Sequence, residues 1–487
     1  MAKKDQIAAL TYAVRPIVIG KYFGQLCLAL AALTLFPVAV SLYYGEFNFT
    51  VRYFIVIFIL VLIGIPLARL ATPSYIQNNE VLIIPTLIFL FAPLIMSFPM
   101  TGAGLSLSDA YFEAVSAITT TGLSTQTFVE HKPLSFLYSR SWMQWVGGLG
   151  IIVLSVALLI GPGAVSKKLA HLNGEGEDIV GSTRAHARRA LIIYVSITVF
   201  SILLLWALGA SPFIAVTHTL AAISTGGFST YDNSLAGFNE WRLPAVIMII
   251  SFAGSIPLLL YHRAHQQGWR QFISSVQVKA LLIVGIIGSV FVSLLLAKVQ
   301  HMPWPDAVRN GFFMAFSAQT TTGFSTISVH DMDPAAKLVL IVSMGIGGGV
   351  GSTAGGIKIL RFLILLRLFE LLIKRTCLPP HAVAEPRLAD ERLSYEDIEH
   401  ALLLILLFIV LVVISWLLFL MIGYDPLDSL FEVVSAAGTV GLSTGITSSN
   451  LETFLKLVLC IDMLAGRLEI IALLVIFYSG TWFGKMR

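Results

Sequence analysis

The sequence predicts an all-α, polytopic membrane protein: four span–loop–span repeats, preceded by two extra N-terminal transmembrane helices. Three observations carry this. Of 487 residues, 57% are hydrophobic and only 12% charged, against about 25% charged in a soluble domain, and the mean hydropathy is +0.86. Apolar runs of the roughly 20 residues that cross a bilayer recur throughout. Between them one polar stretch recurs four times: Thr119-Thr120-Thr121-Gly122-Leu123-Ser124-Thr125, Ser224-Thr225-Gly226-Gly227-Phe228-Ser229-Thr230, Thr320-Thr321-Thr322-Gly323-Phe324-Ser325-Thr326 and Gly438-Thr439-Val440-Gly441-Leu442-Ser443-Thr444. Aligned on Ser-Thr, each places a glycine at one position, and Gly122, Gly227, Gly323 and Gly441 are separated by 105, 96 and 118 residues.

Taken in order, the N-terminal extension (residues 1–75) carries spans near Leu26–Tyr44 and Phe54–Ala71, joined by the short Gly45-Glu46-Phe47-Asn48 connection. The first apolar run lacks a small-residue cleavage pattern and reads as a retained span, not a signal peptide. Repeat 1 (76–170) has spans near Val81–Phe98 and Trp142–Ile160, and repeat 2 (185–270) near Ala190–Leu208 and Ala245–Tyr261. Repeat 3 (276–378) has a span near Ala280–Ala297 and an interrupted one starting near Leu338; repeat 4 (395–487) has spans near Leu402–Ile422 and Phe454–Tyr478. The total is roughly ten full spans.

Charge orients them. Lys3, Lys4, Arg15 and Lys21, the loops with Lys167, Lys168, Arg184, Arg188 and Arg189, with Arg263, Arg270 and Lys279, and with Lys374, Arg375, Arg387 and Arg392, and the ending Lys485-Met486-Arg487 are basic. The positive-inside rule makes all of them cytoplasmic. Ten spans then place both termini inside and all four glycine loops outside, an agreement not built into the assignment. A net charge of +4 is too small to argue for nucleic acid. Cys27 and Cys460 lie in apolar runs and Cys377 in a basic loop, so no disulfide framework is suggested. No His, Cys or carboxylates cluster at mid-span, which speaks against a membrane-embedded enzyme.

Before each loop lies a segment too short to cross a bilayer, such as Asp109–Ile118 and Asp428–Ala437, each with Asp 13 residues before its glycine. In repeat 3 the acid, Asp306, sits 17 before, about one helical turn further. Ser211-Pro212 opens the segment in repeat 2 as N-cap and first helical residue. Such half-membrane helices direct the negative end of their dipoles to mid-depth, where a cation is stabilised. Irregular backbone is tolerated at that depth only inside protein or along a wet cavity. Glycine permits the dihedrals that point successive carbonyls one way, and four such loops around a central pore can replace an alkali ion's hydration shell. One copy alone reads as a surface turn; four in one register favour a shared site.

Four span–pore helix–span units with one glycine per loop resemble the Trk/Ktr/HKT superfamily of potassium transporters. The two extra spans and the ending Met463-Leu464-Ala465-Gly466-Arg467-Leu468-Glu469-Ile470 look like its bacterial TrkH/TrkG type of membrane subunit. The resemblance implies potassium uptake, with a K+ selectivity filter at Thr120, Thr121, Gly122, Thr225, Gly226, Gly227, Thr321, Thr322, Gly323, Thr439, Val440 and Gly441. Serine at the first-loop glycine goes with sodium passage in this family, so glycine at all four positions implies a potassium preference. K+ is the transported ion and no organic cofactor is expected in this chain. The resemblance further implies a homodimer with one pore per protomer in a bacterial cytoplasmic (inner) membrane, contact with membrane lipid, and no nucleic acid. It implies a separate cytoplasmic, nucleotide-binding, ring-forming Trk-type regulator docking on loops such as Lys167–Arg189 and Arg375–Arg392. The rival reading is a sodium-permeable or H+/Na+-coupled cation symporter of the same fold.

Two features interrupt the spans. Gly345-Ile346-Gly347-Gly348-Gly349-Val350-Gly351-Ser352-Thr353-Ala354-Gly355-Gly356-Ile357-Lys358 is too glycine-dense for a helix, at roughly 1 kcal/mol per Gly relative to Ala. Gly349-x-Gly351-x-x-Ala354 approaches a dinucleotide fingerprint, but no strand–helix–strand unit surrounds it. It reads as a flexible loop lining the pore and resembles the family's intramembrane gating loop. Lys358 either belongs to that gate or anchors the resuming helix. Arg467 lies inside the last span, where a charge costs at least about 2.5–3.5 kcal/mol and faces a wet cavity or a partner. It is either a positive obstacle in the path, matching the family's pore arginine, or half of an ion pair with Glu432 or Glu113. Glu113, His218 and Glu432, nine residues before their glycines, either concentrate cations or, the favoured reading, tie the pore helices to their neighbours. Asp232, Glu240, Asp331 and Asp333 read as solvated outer charges. Trp145-Val146-Gly147-Gly148-Leu149-Gly150 reads as close helix packing without a transport role.

Overall fold

The computed structural model describes residues 13–73, 76–159, 179–379, 385–389 and 391–483. Within them the chain is mostly helical, with one two-residue antiparallel pair, β1 Arg387–Leu388 and β2 Glu391–Arg392. The basic residues Lys3, Lys4, Lys167, Lys168, Lys485 and Arg487 lie outside the described residues.

The extension forms α1, Pro16–Tyr43, and α2, Phe47–Ala68. Both start earlier than their apolar cores, α1 on a proline at its first turn and α2 just after the left-handed Gly45. They pack closely: a Cβ on Gly24 would come within 2.9 Å of the Gly64 carbonyl oxygen, the approach that small residues allow between helices in lipid. The pair is tied to the rest at several depths. Arg15 holds Glu80 (2.7 Å), the Trp142 indole donates to Leu33 O (3.0 Å), and Glu46 accepts from the amides of Leu134 and Ser135 (both 2.9 Å).

Next come α3 Asn78–Met100, α4 Leu107–Ile118 and α5 Leu134–Leu159; then α6 Ile179–Ala207, α7 Pro212–Ile223, α8 Arg242–Gly254, α9 Leu258–Gln267 and α10 Trp269–Ser274. They are followed by α11 Val276–Lys298, α12 Trp304–Gln319, α13 Pro334–Ile346 and α14 Ile359–Thr376, and by α15 Tyr395–Ile422, α16 Pro426–Ala437, α17 Thr453–Arg467, α18 Ile471–Phe477 and α19 Ser479–Trp482. Among the described residues six helices (α1, α2, α3, α6, α11, α15) are long and apolar enough to cross a membrane, and α8 with α9, bent by 88°, counts as a seventh. The chain is a multi-pass membrane protein. Large apolar side chains such as Phe200 and Leu203 on α6, Ile287 and Phe291 on α11, and Val413 and Leu417 on α15 stay exposed, a surface suited to hydrocarbon. The short α4, α7 and α16 are buried along most of their length.

Ten spans with one interruption were expected; the structure breaks two more. Ala245–Tyr261 is not continuous, because α8 stops at Gly254-Ser255-Ile256 and Pro257, which has no amide hydrogen to donate, precedes α9. Phe454–Tyr478 is not continuous either: Glu469 and Ile470 take positive φ (57° and 59°) immediately after α17.

Candidate functional site

In repeats 1 and 4 the short helices start a little before the expected Asp109 and Asp428. Ser106, not Asp109, caps α4, accepting from the Asp109 amide, and Asp425, not Asp428, caps α16 through the amides of Leu427 and Asp428. Ser211 caps α7 with Pro212 following. Freed from capping, Asp109 pairs with Lys456 of α17 (2.6 Å) and Asp428 with Lys337 of α13 (2.7 Å). Asp306 pairs with Arg309 one turn along α12.

At the other end of these helices the four loops share one backbone form. Thr120, Thr225, Thr321 and Thr439 have φ of 54°, 53°, 52° and 50°, and Gly122, Gly227, Gly323 and Gly441 have 89°, 73°, 81° and 94°. For a β-branched residue that region is a genuine outlier, costing about 1–3 kcal/mol, and it recurs in all four loops. A Cβ on Gly122 would overlap the carbonyl oxygen of Gly226; on Gly227, that of Thr322; on Gly323, that of Val440; on Gly441, that of Thr121. Loop one therefore abuts two, two abuts three, three abuts four, and four abuts one. The twelve residues expected to form a filter are brought together in one closed ring of backbone.

Side chains fasten the ring from behind. Glu113 accepts from Ser124 Oγ (2.7 Å) and the Thr125 amide (2.8 Å). Glu432 accepts from Ser443 Oγ (2.6 Å), the Thr444 amide (2.8 Å) and Thr447 Oγ1 (2.6 Å). His218 Nε2 meets Ser229 Oγ at 3.2 Å. In loop three Met314 holds the equivalent position, and Ser325 O accepts from the Leu235 amide instead. The favoured tethering role for these residues fits this geometry. Glu113 alone of the three has a cation, Arg140 (3.0 Å), whose guanidinium also lies 3.8 Å from the Phe228 ring centroid. One turn on, Gln144 donates to Gly226 O (2.5 Å) and accepts from the Phe228 amide (3.3 Å). Asp232 and Asp333 are not merely solvated: the first accepts from the amides of Val129 and Glu130, the second caps α13.

The glycine-rich segment is not a slack loop. Gly345 and Ile346 close α13, residues 347–358 run without helix, and Lys358 precedes α14 at φ 76°. The break in α8–α9 receives it. The Gly349 amide donates to Ser255 O (2.9 Å), the Thr353 amide to Gly254 O (3.2 Å), and Gly351 O accepts from the Leu258 amide (3.2 Å). Thr353 Oγ1 lies 3.0 Å from Ile223 O and 2.9 Å from Gly254 O. The Gly348 amide donates to Gly355 O within the segment, and the Gly347 carbonyl accepts from Gln319 Nε2 (2.7 Å). Ser352 Oγ donates to Gly349 O (2.7 Å), and a Cβ on Gly356 would strike Gly347. The segment reaches the ring itself: the Gly355 amide donates to Thr321 Oγ1 (2.8 Å), and a Cβ on Gly355 would overlap Thr439 Oγ1.

Arg467 is 2% exposed. Its guanidinium donates to Thr353 O (2.6 Å) and Gly147 O (3.3 Å), while Nε has no partner. The ion-pair alternative fails: Glu113 is taken by Arg140, Glu432 by hydroxyls and an amide, and Glu469 points to Lys358 (2.9 Å) and Arg361 (2.5 Å). Lys358 thus ties the end of the glycine segment to the turn after α17. Close packing recurs behind the ring, where a Cβ on Gly147, Gly254 or Gly466 would overlap the carbonyl of Ile118, Ile223 or Ala437. Sequence reasoning missed Gln144, Arg140 and the Gly254–Pro257 break. The available signals were a lone amide in an apolar span, an arginine at its mouth, and a proline after Gly-Ser.

The family model described as TrkH, cation transport protein, matches residues 46–484. An uncharacterized cation transporter of Methanocaldococcus jannaschii is 32% identical over 93% of this chain and 94% of its own. The Trk system potassium uptake protein TrkH of Escherichia coli K12 is 30% identical over 78% of this chain and 80% of its own. The crystal structure of the potassium transporter TrkH from Vibrio parahaemolyticus superposes with a TM-score of 0.84 at 26% identity, covering 96% of this chain and 99% of that one.

Proposed function

We propose, for a chain that belongs to the TrkH family of cation transport proteins, that it carries potassium into the cell through the ring of four loops. The closed ring is the observation that carries this reading. Four identical backbone turns abut in sequence order, which is the arrangement needed to exchange an ion's water for carbonyl oxygens. The four repeats, each with its short helix as a pore helix, surround that axis. Beneath it the glycine segment, stitched to Thr321 and to the α8–α9 break, forms the gate, and Arg467 fixes it through the Thr353 carbonyl.

Both termini are cytoplasmic, the membrane is the cytoplasmic one, and influx follows the electrochemical gradient. The inside-negative potential contributes about 2.3 kcal/mol per charge per 100 mV. The functional unit is a homodimer with a nucleotide-binding ring protein docked on the basic cytoplasmic loops around Arg375–Arg392 and Lys167–Arg189, part of which lies outside the described residues.

The test is flux into liposomes of K+, Rb+, Na+ and Li+, comparing wild type with Gly122→Ser. A side chain there meets the Gly226 carbonyl and an unfavourable φ of 89°. Wild type should favour K+ and Rb+, and the variant should admit more Na+. Equal passage of Na+ and K+ in wild type would sink the filter reading.

A further inference from the structure

Gln144 is an apolar span's one amide, 0% exposed, and it touches loop two on both sides of Gly227. Its orientation follows from its partners, since a carbonyl oxygen requires the NH2 group and an amide N–H requires the oxygen. We propose that Gln144 is a specificity-determining positioning residue, whose amide occupies the Gly226 carbonyl and weakens one ligand of the ion-binding ring. This rests on the ring being the selectivity filter.

Two independent observations support it. The first is space. A Cβ on Gly226 would fall closer than 3.0 Å to Cδ, Oε1 and Nε2 of Gln144. The other loops carry Thr121, Thr322 and Val440 at this position. Gly226 is not among the glycines with positive φ, so the backbone does not demand glycine there; the Gln144 side chain does. Loop two lacks a side chain because α5 supplies one. The second is the ring of carbonyls. Gly226 O is the atom that loop one abuts, and it accepts from Gln144. Among the described residues, the three equivalent carbonyls of Thr121, Thr322 and Val440 accept no hydrogen bond.

A carbonyl already engaged by an amide presents a weaker field to an ion. Weak-field ligands favour the larger, more easily dehydrated cation, K+ over Na+, and ligand field strength is one recognised source of such discrimination. Removing the donor strengthens that ligand and also frees loop two, and both changes raise the share of Na+.

Full-length protein in liposomes tests this with Gln144→Met, Gly226→Thr and the double variant Gln144→Ala/Gly226→Thr. Gln144→Met, similar in length without donor or acceptor, should raise the Na+/K+ flux ratio by about three- to tenfold, the scale of one neutral hydrogen bond. Gly226→Thr alone should cut K+ flux, and the double variant should recover it, because threonine, the residue loops one and three carry at this position, refills the vacated space. An unchanged ratio in Gln144→Met overturns the proposal. So does wild-type flux in Gly226→Thr. Should Gln144→Met not fold, the double variant decides: rescue supports the assignment and absence of rescue overturns it. Gly122→Ser runs in parallel. If it shifts the ratio and Gln144→Met does not, only the Gln144 assignment fails; if neither does, the filter reading fails with it.

Discussion

Buried charges at the single-residue level separate into those with a counter-charge and those without. Arg467 has none among the described residues, and binds carbonyls of the glycine segment and α5. Arg467→Ala should raise basal K+ flux in liposomes, because it removes both a positive charge beneath the ring and a strut that holds Thr353; unchanged flux in a folded variant would count against the gate. Glu113 and Glu432 sit at matching positions but differ in this respect. Glu113→Gln strands the buried Arg140, which costs about 3–5 kcal/mol. Glu432→Gln keeps an acceptor for the Ser443 hydroxyl and the Thr444 amide and loses about 1 kcal/mol. Thermal unfolding in detergent should show a large fall in Tm for the first and a small one for the second; equal falls would contradict the difference in pairing.

Helices and loops show which parts of the structure were legible in the sequence. The start of α7 could be read from Ser211-Pro212, whose chemistry is local; Asp333-Pro334 and Asp425-Pro426 carry the same kind of signal at α13 and α16, where Leu338 and Asp428 were expected to open the segments. The helix-breaking run from Gly347 to Gly356 could be read too. The break at Pro257 could not, because proline is tolerated in membrane helices wherever neighbours satisfy the freed carbonyls. Here the satisfying partners, Gly349 and Thr353, lie about a hundred residues away in sequence. The turn at Glu469 is likewise set at long range by Lys358 and Arg361. The pairing of Asp109 was not legible either, because its partner, Lys456, belongs to another repeat. The four loops themselves were legible because their residues recur, whereas Gln144 occurs once. For the gate element, Thr353→Val removes donation to Ile223 O and Gly254 O. Basal flux should rise while the K+/Na+ ratio stays near wild type, since the Thr353 hydroxyl meets the ring only through a long contact with Thr225 Oγ1 (3.4 Å); a changed ratio with unchanged flux would contradict the division of labour.

Across the whole molecule, orientation is open to a direct test. Cys27 and Cys460 are buried and Cys377 is exposed, so the wild-type chain carries one accessible thiol. A membrane-impermeant maleimide should label Cys377 in inside-out vesicles only, and Asn233→Cys, in the exposed connection after loop two, should add labelling in intact cells. Labelling of Cys377 from outside would invert the topology. The Asp109–Lys456 pair joins two parts of the chain that are made far apart in time. Its partners are 347 residues apart in the chain. At about 5–20 residues per second of synthesis, the acid precedes its lysine by roughly 17–70 seconds. Throughout that interval the Asp109 carboxylate has the Ser106 hydroxyl but not its lysine. Repeat 1 is therefore completed by a residue of repeat 4, and gains this counter-charge only after the intervening repeats have been made.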